Sequence, residues 1–480
     1  MLQHTFDVQS PRLRPRSVPL ASKVIGLVSP LLLIALIVQA FYRSGVASWS
    51  VGIVYILYDT ALLLFTAWAI LPLRHGLAPA APARSASRAT LGVIVAAHNE
   101  ASVLGVTIDR LMDQADPPEV LLLADDGSSD ESAQVLHRLY GLERPALGQM
   151  SGPSPVLPAL HWLRLPHGGK ARALNAAILH LDTELVMTVD ADTLLAPRAL
   201  SAMRNAFAAE PALAAATGVL VPICGPRTSE RLFEAFQRYE YVRNFLSRFA
   251  WMRQNGLLLI SGAFAGFRRE AVIEVGGFDP DCMVEDYELI HRMHRHSAET
   301  GRGWTVRVIG AARASTDAPA TPMAFLRQRR RWFGGFLQTQ HWNRDMVGNS
   351  RFGRLGTRML PVKALDTLQP VYGLVAFAIL LALVVTHRFT IALPILLIMI
   401  AKIAIDLSFH LWSIGIYKQW TGEHDDLSLG QALLISFAEP FSFQLLRHAG
   451  AVWGWVAFLS GGSAWGTQKR TAIVAAEPTV

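Results

Sequence analysis

Six short segments hold residue types that could do chemistry together. Three of them close apolar runs that read as strands: Val93–Glu100 (VIVAAHNE), Ala124–Asp130 (ADDGSSD) and Val189–Thr193 (VDADT). In an open α/β sheet, ligands gather at the carboxyl ends of parallel strands. A carboxylate there can accept hydrogen bonds from a base or from ribose hydroxyls. Gly127 permits a tight turn and close ligand approach. Asp190 and Asp192, one residue apart, can share a divalent cation. Oxygen ligands suit Mg²⁺ or Mn²⁺, ions that bridge to substrate phosphates.

The other three segments supply charge of both signs. Gly168–Asn175 (GGKARALN) opens a helix, whose N-terminus favours anions, and Lys170 adds a positive charge. Met283–Asp286 (MVED) heads a helix beginning YELIHRMHR. Gln328–Trp332 (QRRRW) is followed by Phe333, Gly334 and Gly335. Taken singly, each has a plainer reading. DDGSSD can be a turn whose Ser129 or Asp130 caps a helix. Glu285 and Asp286 can be partners of a helix dipole. QRRRW can be a basic stripe beside a membrane. No P-loop and no Gly-rich dinucleotide fingerprint occurs, so a nucleotide site must be built from acids and metal.

The elements that position these segments follow from hydrophobic patterning. Hydrophobic residues make up 51% of the 480 and charged residues only 17%, against about 25% in soluble domains. Apolar stretches at Val24–Phe41 and Val51–Leu73 are each long enough to span a bilayer and form a hairpin. Apolar spans return at Ala364–Val385 and Ile391–Trp412. Gln431–Ser460 reads as one kinked span or as two short helices. Arg12, Arg14, Arg16 and Lys23 precede the hairpin, and Arg74, Arg84 and Arg88 follow it, which places both flanks in the cytoplasm. The net charge of +7 thus suits a membrane face, and no isolated basic domain speaks for nucleic acid. Residues 1–22 read as a disordered basic arm and 76–90 as a linker. Cys224 and Cys282 form neither a metal spacing nor a disulfide framework.

Between the spans, β-rich runs alternate with helical patterns, which argues for a mostly parallel α/β sheet. Strands are expected at Leu91–Ala97, Val120–Ala124, Trp162–Leu165 and Leu185–Asp190, with helices at Ala101–Met112, Asp130–Leu139 and Lys170–Leu181. Gly141–Pro158 reads as a surface loop. Ser229–Arg253 is an amphipathic helix that suits either core packing or a membrane interface.

The order HNE, DDGSSD, GGKARALN, DAD, ED and QRRRW over Leu91–Trp342, between membrane spans, resembles the membrane-integrated family 2 glycosyltransferases. These include cellulose, hyaluronan, chitin-oligosaccharide and poly-N-acetylglucosamine synthases. The resemblance implies an α/β GT-A-type nucleotide-sugar domain inserted between transmembrane helices. Its implied organisation is a hairpin over 23–75, a cytoplasmic GT-A domain over 90–342, an interfacial segment over 343–363, a transmembrane region over 364–461 and a cytoplasmic tail over 462–480. It puts Asp126 at the nucleobase, Glu100 and Lys170 with the nucleotide, Asp190 beside the donor sugar and Asp192 at Mg²⁺ or Mn²⁺. It makes Asp286 the general base and groups Glu285, Gln328, Arg331 and Trp332 at the acceptor and diphosphate. Ser261–Arg269 (SGAFAGFRR) looks like the segment lining the acceptor site.

The sequence departs from the family in places. Val284 stands where many relatives have a hydroxyl residue, and the polar connection His294–Gly303 looks long. No soluble regulatory module is expected after the last span. The QxxRW pattern also occurs in lipid glucosyltransferases resembling ceramide glucosyltransferase.

The chemistry implied is a single displacement. The metal on Asp192, with Arg331 and Lys170, neutralises the departing diphosphate, while Asp286 takes the proton of the attacking hydroxyl. An α-linked donor then gives a β-linkage. The expected partners are a UDP-sugar (UDP-N-acetylglucosamine first, then UDP-glucose), a glycan or lipid acceptor and membrane lipids. A rival class is a membrane transporter with a nucleotide-sensing domain. Asp59, Asp366, Asp406 and Glu439 lie inside predicted spans, with Lys402 one turn from Asp406. Such charges pair with each other or line a polar path.

Overall fold

A computed structural model of the chain describes residues 2–75, 88–422 and 429–461. The expected tail over 462–480, with Lys469 and Arg470, and most of the expected linker lie outside the described residues. Helix α1 (Leu2–Gln9) comes first, then α2 (Leu20–Tyr42) and α3 (Ser50–Ile70). The α/β region runs β1 (Leu91–Ala97), α4 (Ala101–Met112), β2 (Val120–Asp126), α5 (Ser132–Tyr140), β3 (Leu160–Leu165), α6 (Lys170–His180), β4 (Leu185–Asp190) and β5 (Thr193–Leu195). It continues with α7 (Ala199–Ala209), β6 (Leu213–Ile223), α8 (Thr228–Met252), β7 (Phe264–Arg268), α9 (Arg269–Glu274), α10 (Glu285–Thr300) and β8 (Thr305–Asp317). Then follow α11 (Pro322–Trp342), α12 (Leu360–Val385), α13 (Phe389–Thr421), α14 (Leu429–Ala438) and α15 (Phe443–Leu459).

One eight-stranded sheet has the order β3-β2-β1-β4-β7-β6-β8-β5. Strands β3, β2, β1 and β4 are mutually parallel, so Ile94 of β1 faces Leu122 of β2 on one side and Thr188 of β4 on the other. β1, β2 and β4 are near-continuous apolar runs because helices cover both faces. The far half is mixed. β7 runs antiparallel to β4 and β6, β6 and β8 are parallel, and β5 is antiparallel to β8. This is a Rossmann-like α/β sheet, flanked by apolar helices.

Four helices are long and apolar enough to cross a membrane: Leu20–Tyr42, Gly45–Arg74, Leu355–Val385 and Phe389–Thr421. The stretch after them is two short helices, α14 and α15, divided by a turn at Glu439–Phe441 where Pro440 interrupts the helix. The acids inside the apolar helices pair. Lys402 reaches Asp59 at 2.7 Å and also pairs with Asp406, and Lys363 reaches Asp366 at 2.8 Å. Helix α8 joins the two halves of the molecule. It buries Phe236, Tyr239, Val242, Phe245 and Phe249, and packs on β6 and β8 as well as on α3, α13 and α14.

Two expectations are corrected. The arm over 1–22 is not disordered through its length. Leu2 and Phe6 of α1 are buried, and a side chain at Gly276 would collide with the Phe6 backbone at 2.4 Å. Arg12 bridges Asp279 and Asp281, each at 3.0 Å, and Arg16 pairs with Glu299. Two apolar anchors over a glycine recess and three acidic partners hold a segment whose composition alone suggests disorder. The His294–Gly303 segment is likewise no long connection. It continues α10 to Thr300, where Gly301 at φ +72° ends the helix.

Candidate active site

The loops after β1 and β2 are laced together. Asn99, at φ +58°, accepts from the Ser129 amide at 2.8 Å and the Asp130 amide at 3.2 Å. Asp130 accepts from Ala101 N on α4 and from Ser132 N on α5, each at 3.0 Å. Burial pushes its carboxyl up, but the Ser132 hydroxyl at 2.6 Å and those two amides outweigh it and hold it below the usual range. Asp130 is therefore a structural cap. Asp125 is structural too, accepting from Ser128 N at 2.8 Å and Trp162 Nε1 at 3.2 Å. Asp126 faces the other way, toward the loop before α6. Its oxygens accept from Gly168 N at 2.7 Å and Gly169 N at 2.9 Å, and His167 Nδ1 lies 3.0 Å from Oδ2. Gly127 at φ +69° is required here, because a Cβ would sit 2.7 Å from His167 N. Glu100 stands at the start of α4, beside this pair of loops.

Lys170, the first residue of α6, reaches across the sheet. Its Nζ is 2.5 Å from Asp190 Oδ1 at the end of β4 and 3.7 Å from Glu285 Oε1 at the start of α10. Burial would lower the lysine pKa, but Asp190, Glu285 and Asp286 outweigh it and hold the ammonium above its ordinary value. Glu285 is pushed up by burial and by Asp286, with Lys170 and Arg331 opposing. Asp286 is held from two sides, accepting from Gly262 N and Tyr287 N, each at 2.7 Å. A Cβ at Gly262 would lie 3.0 Å from Asp286 Oδ2 and 3.3 Å from Lys170 Nζ. Lys170, Asp190, Glu285, Asp286 and the Ser261–Arg269 segment thus meet at one point. Asp192 is buried two residues beyond Asp190, with Thr193 Oγ1 3.4 Å from its Oδ1.

The QRRRW segment is on α11, and its three arginines divide. Arg329 is buried, 2.6 Å from Glu240 of α8, with its guanidinium 4.4 Å from the Trp332 ring centroid. Arg330 lies over Trp453 of α15 at 5.2 Å. Arg331 is the one whose charge reaches Glu285. Gln328 Oε1 is buried without a protein partner. Helices α11 and α15 approach closely because Gly334 and Gly454 carry no side chains: a Cβ on Gly454 would lie 2.5 Å from Arg330 O. Val284 packs its methyls into the space left by Gly335.

Sequence reasoning missed two features. His98 and His167 stack with ring centroids 4.3 Å apart beside Asp126. Together these three form the one group of three His, Cys, Asp or Glu side chains among the described residues that could hold a metal ion, and Asp192 is not in it. Arg248 on α8 has Nε and Nη1 buried without a partner, and burial pulls its pKa down to about 10. HNE and PHGGK name both histidines, but only the β3-β2-β1 order brings them together.

The family described as glycosyl transferase family 2 matches residues 92–276, and glycosyl transferase family group 2 matches 185–407. The chain is similar to the poly-beta-1,6-N-acetyl-D-glucosamine synthase of Staphylococcus aureus (strain COL), 26% identical over 249 residues. That match covers 50% of this chain and 53% of the relative, so the chain spans about half the length of the curated relatives it matches. The synthase of the same name from Staphylococcus epidermidis is 24% identical over 51% of this chain and 54% of its own length. Among solved structures, the mannosyltransferase PcManGT from Pyrobaculum calidifontis, in complex with GDP-Man and Mn²⁺, aligns with TM-score 0.49 and 20% identity. The alignment covers 82% of this chain and 99% of that one.

Proposed function

Because the chain carries glycosyltransferase family 2 domains flanked by apolar, membrane-type helices, we propose that it is an inverting transferase of a sugar from a UDP-sugar to a growing β-linked glycan. One observation carries this reading: Asp286, fixed by the Gly262 and Tyr287 amides, stands in one cluster with Lys170, Asp190 and Glu285 at the strand ends.

This reading gives each group a role. Asp126, His167 and the Gly168–Gly169 amides frame the nucleobase end, with Glu100 beside it. Asp190 and Asp192 offer hard oxygen donors suited to Mg²⁺ or Mn²⁺, which when bound would neutralise diphosphate charge. Lys170 holds Asp190 in place beside the donor sugar. Asp286 accepts the proton of the acceptor hydroxyl as that oxygen attacks the anomeric carbon. Arg331, Gln328 and Trp332, on α11, lie on the acceptor and diphosphate side, and Arg331 balances the charge of Glu285. The donor to test first is UDP-N-acetylglucosamine, because the curated relatives are named for its polymer. The basic flanks put the catalytic domain in the cytoplasm, with the product leaving through the membrane region.

A lipid acceptor is the second reading, favoured by Arg248. Two of its guanidinium nitrogens, Nε and Nη1, are buried without a partner, which suits a phosphate-bearing acceptor. Detergent-purified protein given labelled UDP-N-acetylglucosamine or UDP-glucose and Mg²⁺ tests both readings. Release of UDP with a high-mass β-linked product supports chain extension, and a singly glycosylated lipid supports the second. Chelation by EDTA stops turnover, and Mn²⁺ or Mg²⁺ restores it. No UDP release with any donor contradicts both.

A further inference from the structure

The group of His98, Asp126 and His167 has no assigned task as a unit. The three residues come from the ends of three neighbouring strands: His98 follows β1, Asp126 ends β2 and His167 follows β3. One ligand atom from each lies within 4.8 Å of the other two. Both rings converge on Asp126. His98 Nδ1 is 2.7 Å and His167 Nδ1 3.1 Å from its carbonyl oxygen, and His167 Nδ1 is 3.0 Å from Oδ2. Asp126 itself is buried and oriented by the Gly168 and Gly169 amides, while both imidazoles are exposed. Outer hydrogen bonds that fix a ligating carboxylate are what a preorganised ion site needs.

The chemistry of this set differs from that at Asp190 and Asp192. Those residues offer only oxygen and suit hard ions. Two imidazoles and one carboxylate suit zinc, nickel or copper, with a further position open. The two places are also separate. Strand β1 lies between β2 and β4, so Asp126 and Asp190 are about 10 Å apart by ordinary strand spacing.

We propose that His98, Asp126 and His167 form a transition-metal site, separate from the Asp190–Asp192 pair, that excludes the nucleobase when filled. The ion enters from solvent through the exposed rings and draws both histidines onto Asp126. A metal there occupies the carboxylate that the nucleoside would meet, so zinc acts as a competitor of the donor. The competition rests on the nucleotide reading above; the ion site does not.

Zinc titration by calorimetry into the untagged, full-length, detergent-solubilised protein, with Mg²⁺ saturating, tests this. One zinc is expected per chain, bound equally well by Asp192→Ala. In the double variant His98→Gln/His167→Gln the affinity should fall at least 10-fold, with the melting temperature of the variant serving as the check on folding. X-ray absorption on the zinc-loaded protein should show two imidazole nitrogens. Saturating UDP should weaken zinc binding, and zinc should raise the donor KM while leaving kcat unchanged. Absence of zinc binding, or equal binding by the folded double variant, overturns the site whatever UDP does. Histidine-dependent zinc binding that UDP leaves unchanged overturns the competition and the placement of the nucleobase at Asp126, while the ion site stands.

Discussion

The ammonium of Lys170 lies 2.5 Å from the carboxylate of Asp190, tying the head of α6 to the end of β4 across the mouth of the sheet. Glu285 and Asp286 flank the same ammonium, so one cation holds three carboxylates together. Lys170→Met removes that charge. Turnover should fall by about 10²-fold, the scale of one preorganised electrostatic group. Steady-state kinetics with UDP release as the readout checks it, and the Glu285 carboxyl should be pushed further up.

Gly262→Ala should disable the site without unfolding the domain. Its Cβ would press on Asp286 Oδ2 at 3.0 Å and on Lys170 Nζ at 3.3 Å. A displacement of a fraction of an ångström to 1 Å at the reacting groups costs up to about 10²-fold in rate. The expected pattern is a lowered kcat with an unchanged melting temperature and near-normal UDP affinity.

Asp59 and Lys402 form a largely buried pair at 2.7 Å between α3 and α13, with Arg243 3.5 Å from the same carboxylate. Asp59→Leu alone leaves Lys402 with only Asp406 and should destabilise by about 3–5 kcal/mol, the usual loss when one partner of a buried pair is removed. Asp59→Leu with Lys402→Met should recover much of that loss. Thermal unfolding of the wild type, both single variants and the double variant in one detergent gives the coupling directly.

His291 gives the fold a pH dependence. Burial lowers its pKa to about 3, against the help of a 2.8 Å contact to Tyr287 O, while its ordinary value is near 6.5. The unfolded chain therefore takes up a proton at pH values where the folded chain does not. This contribution is fully present above about pH 6.5 and is lost progressively as the pH falls toward 3, at about 1.4 kcal/mol per unit. His291→Asn should flatten the slope of melting temperature against pH between 4 and 6.

Much of the sheet was legible because β1, β2 and β4 are buried on both faces and read as unbroken apolar runs. β1, β4 and α4 have the bounds expected of them. The far half was not. β6 begins in a run of alanines, β5 is three residues long, and β7 (FAGFR) is short. β8 alternates buried and less buried residues in the pattern of a strand, yet has polar and glycine positions between its valines. The motifs singled out segments that the sheet brings together, but not which contacts each residue within them makes. Asp125 and Asp130 are indistinguishable from Asp126 by type. Only tertiary placement turns the first toward Trp162, the second toward two helix starts and the third toward Gly168. Arg329 differs from Arg331 in the same way, since Glu240 on α8 claims it.

The most direct test is Asp286→Asn, which keeps the size of the side chain and removes the proton acceptor. Sugar transfer from UDP-N-acetylglucosamine, or from whichever donor the wild type uses, should fall by about 10²–10⁴-fold, while calorimetry shows UDP binding retained. Transfer by the variant at close to the wild-type rate would contradict the account.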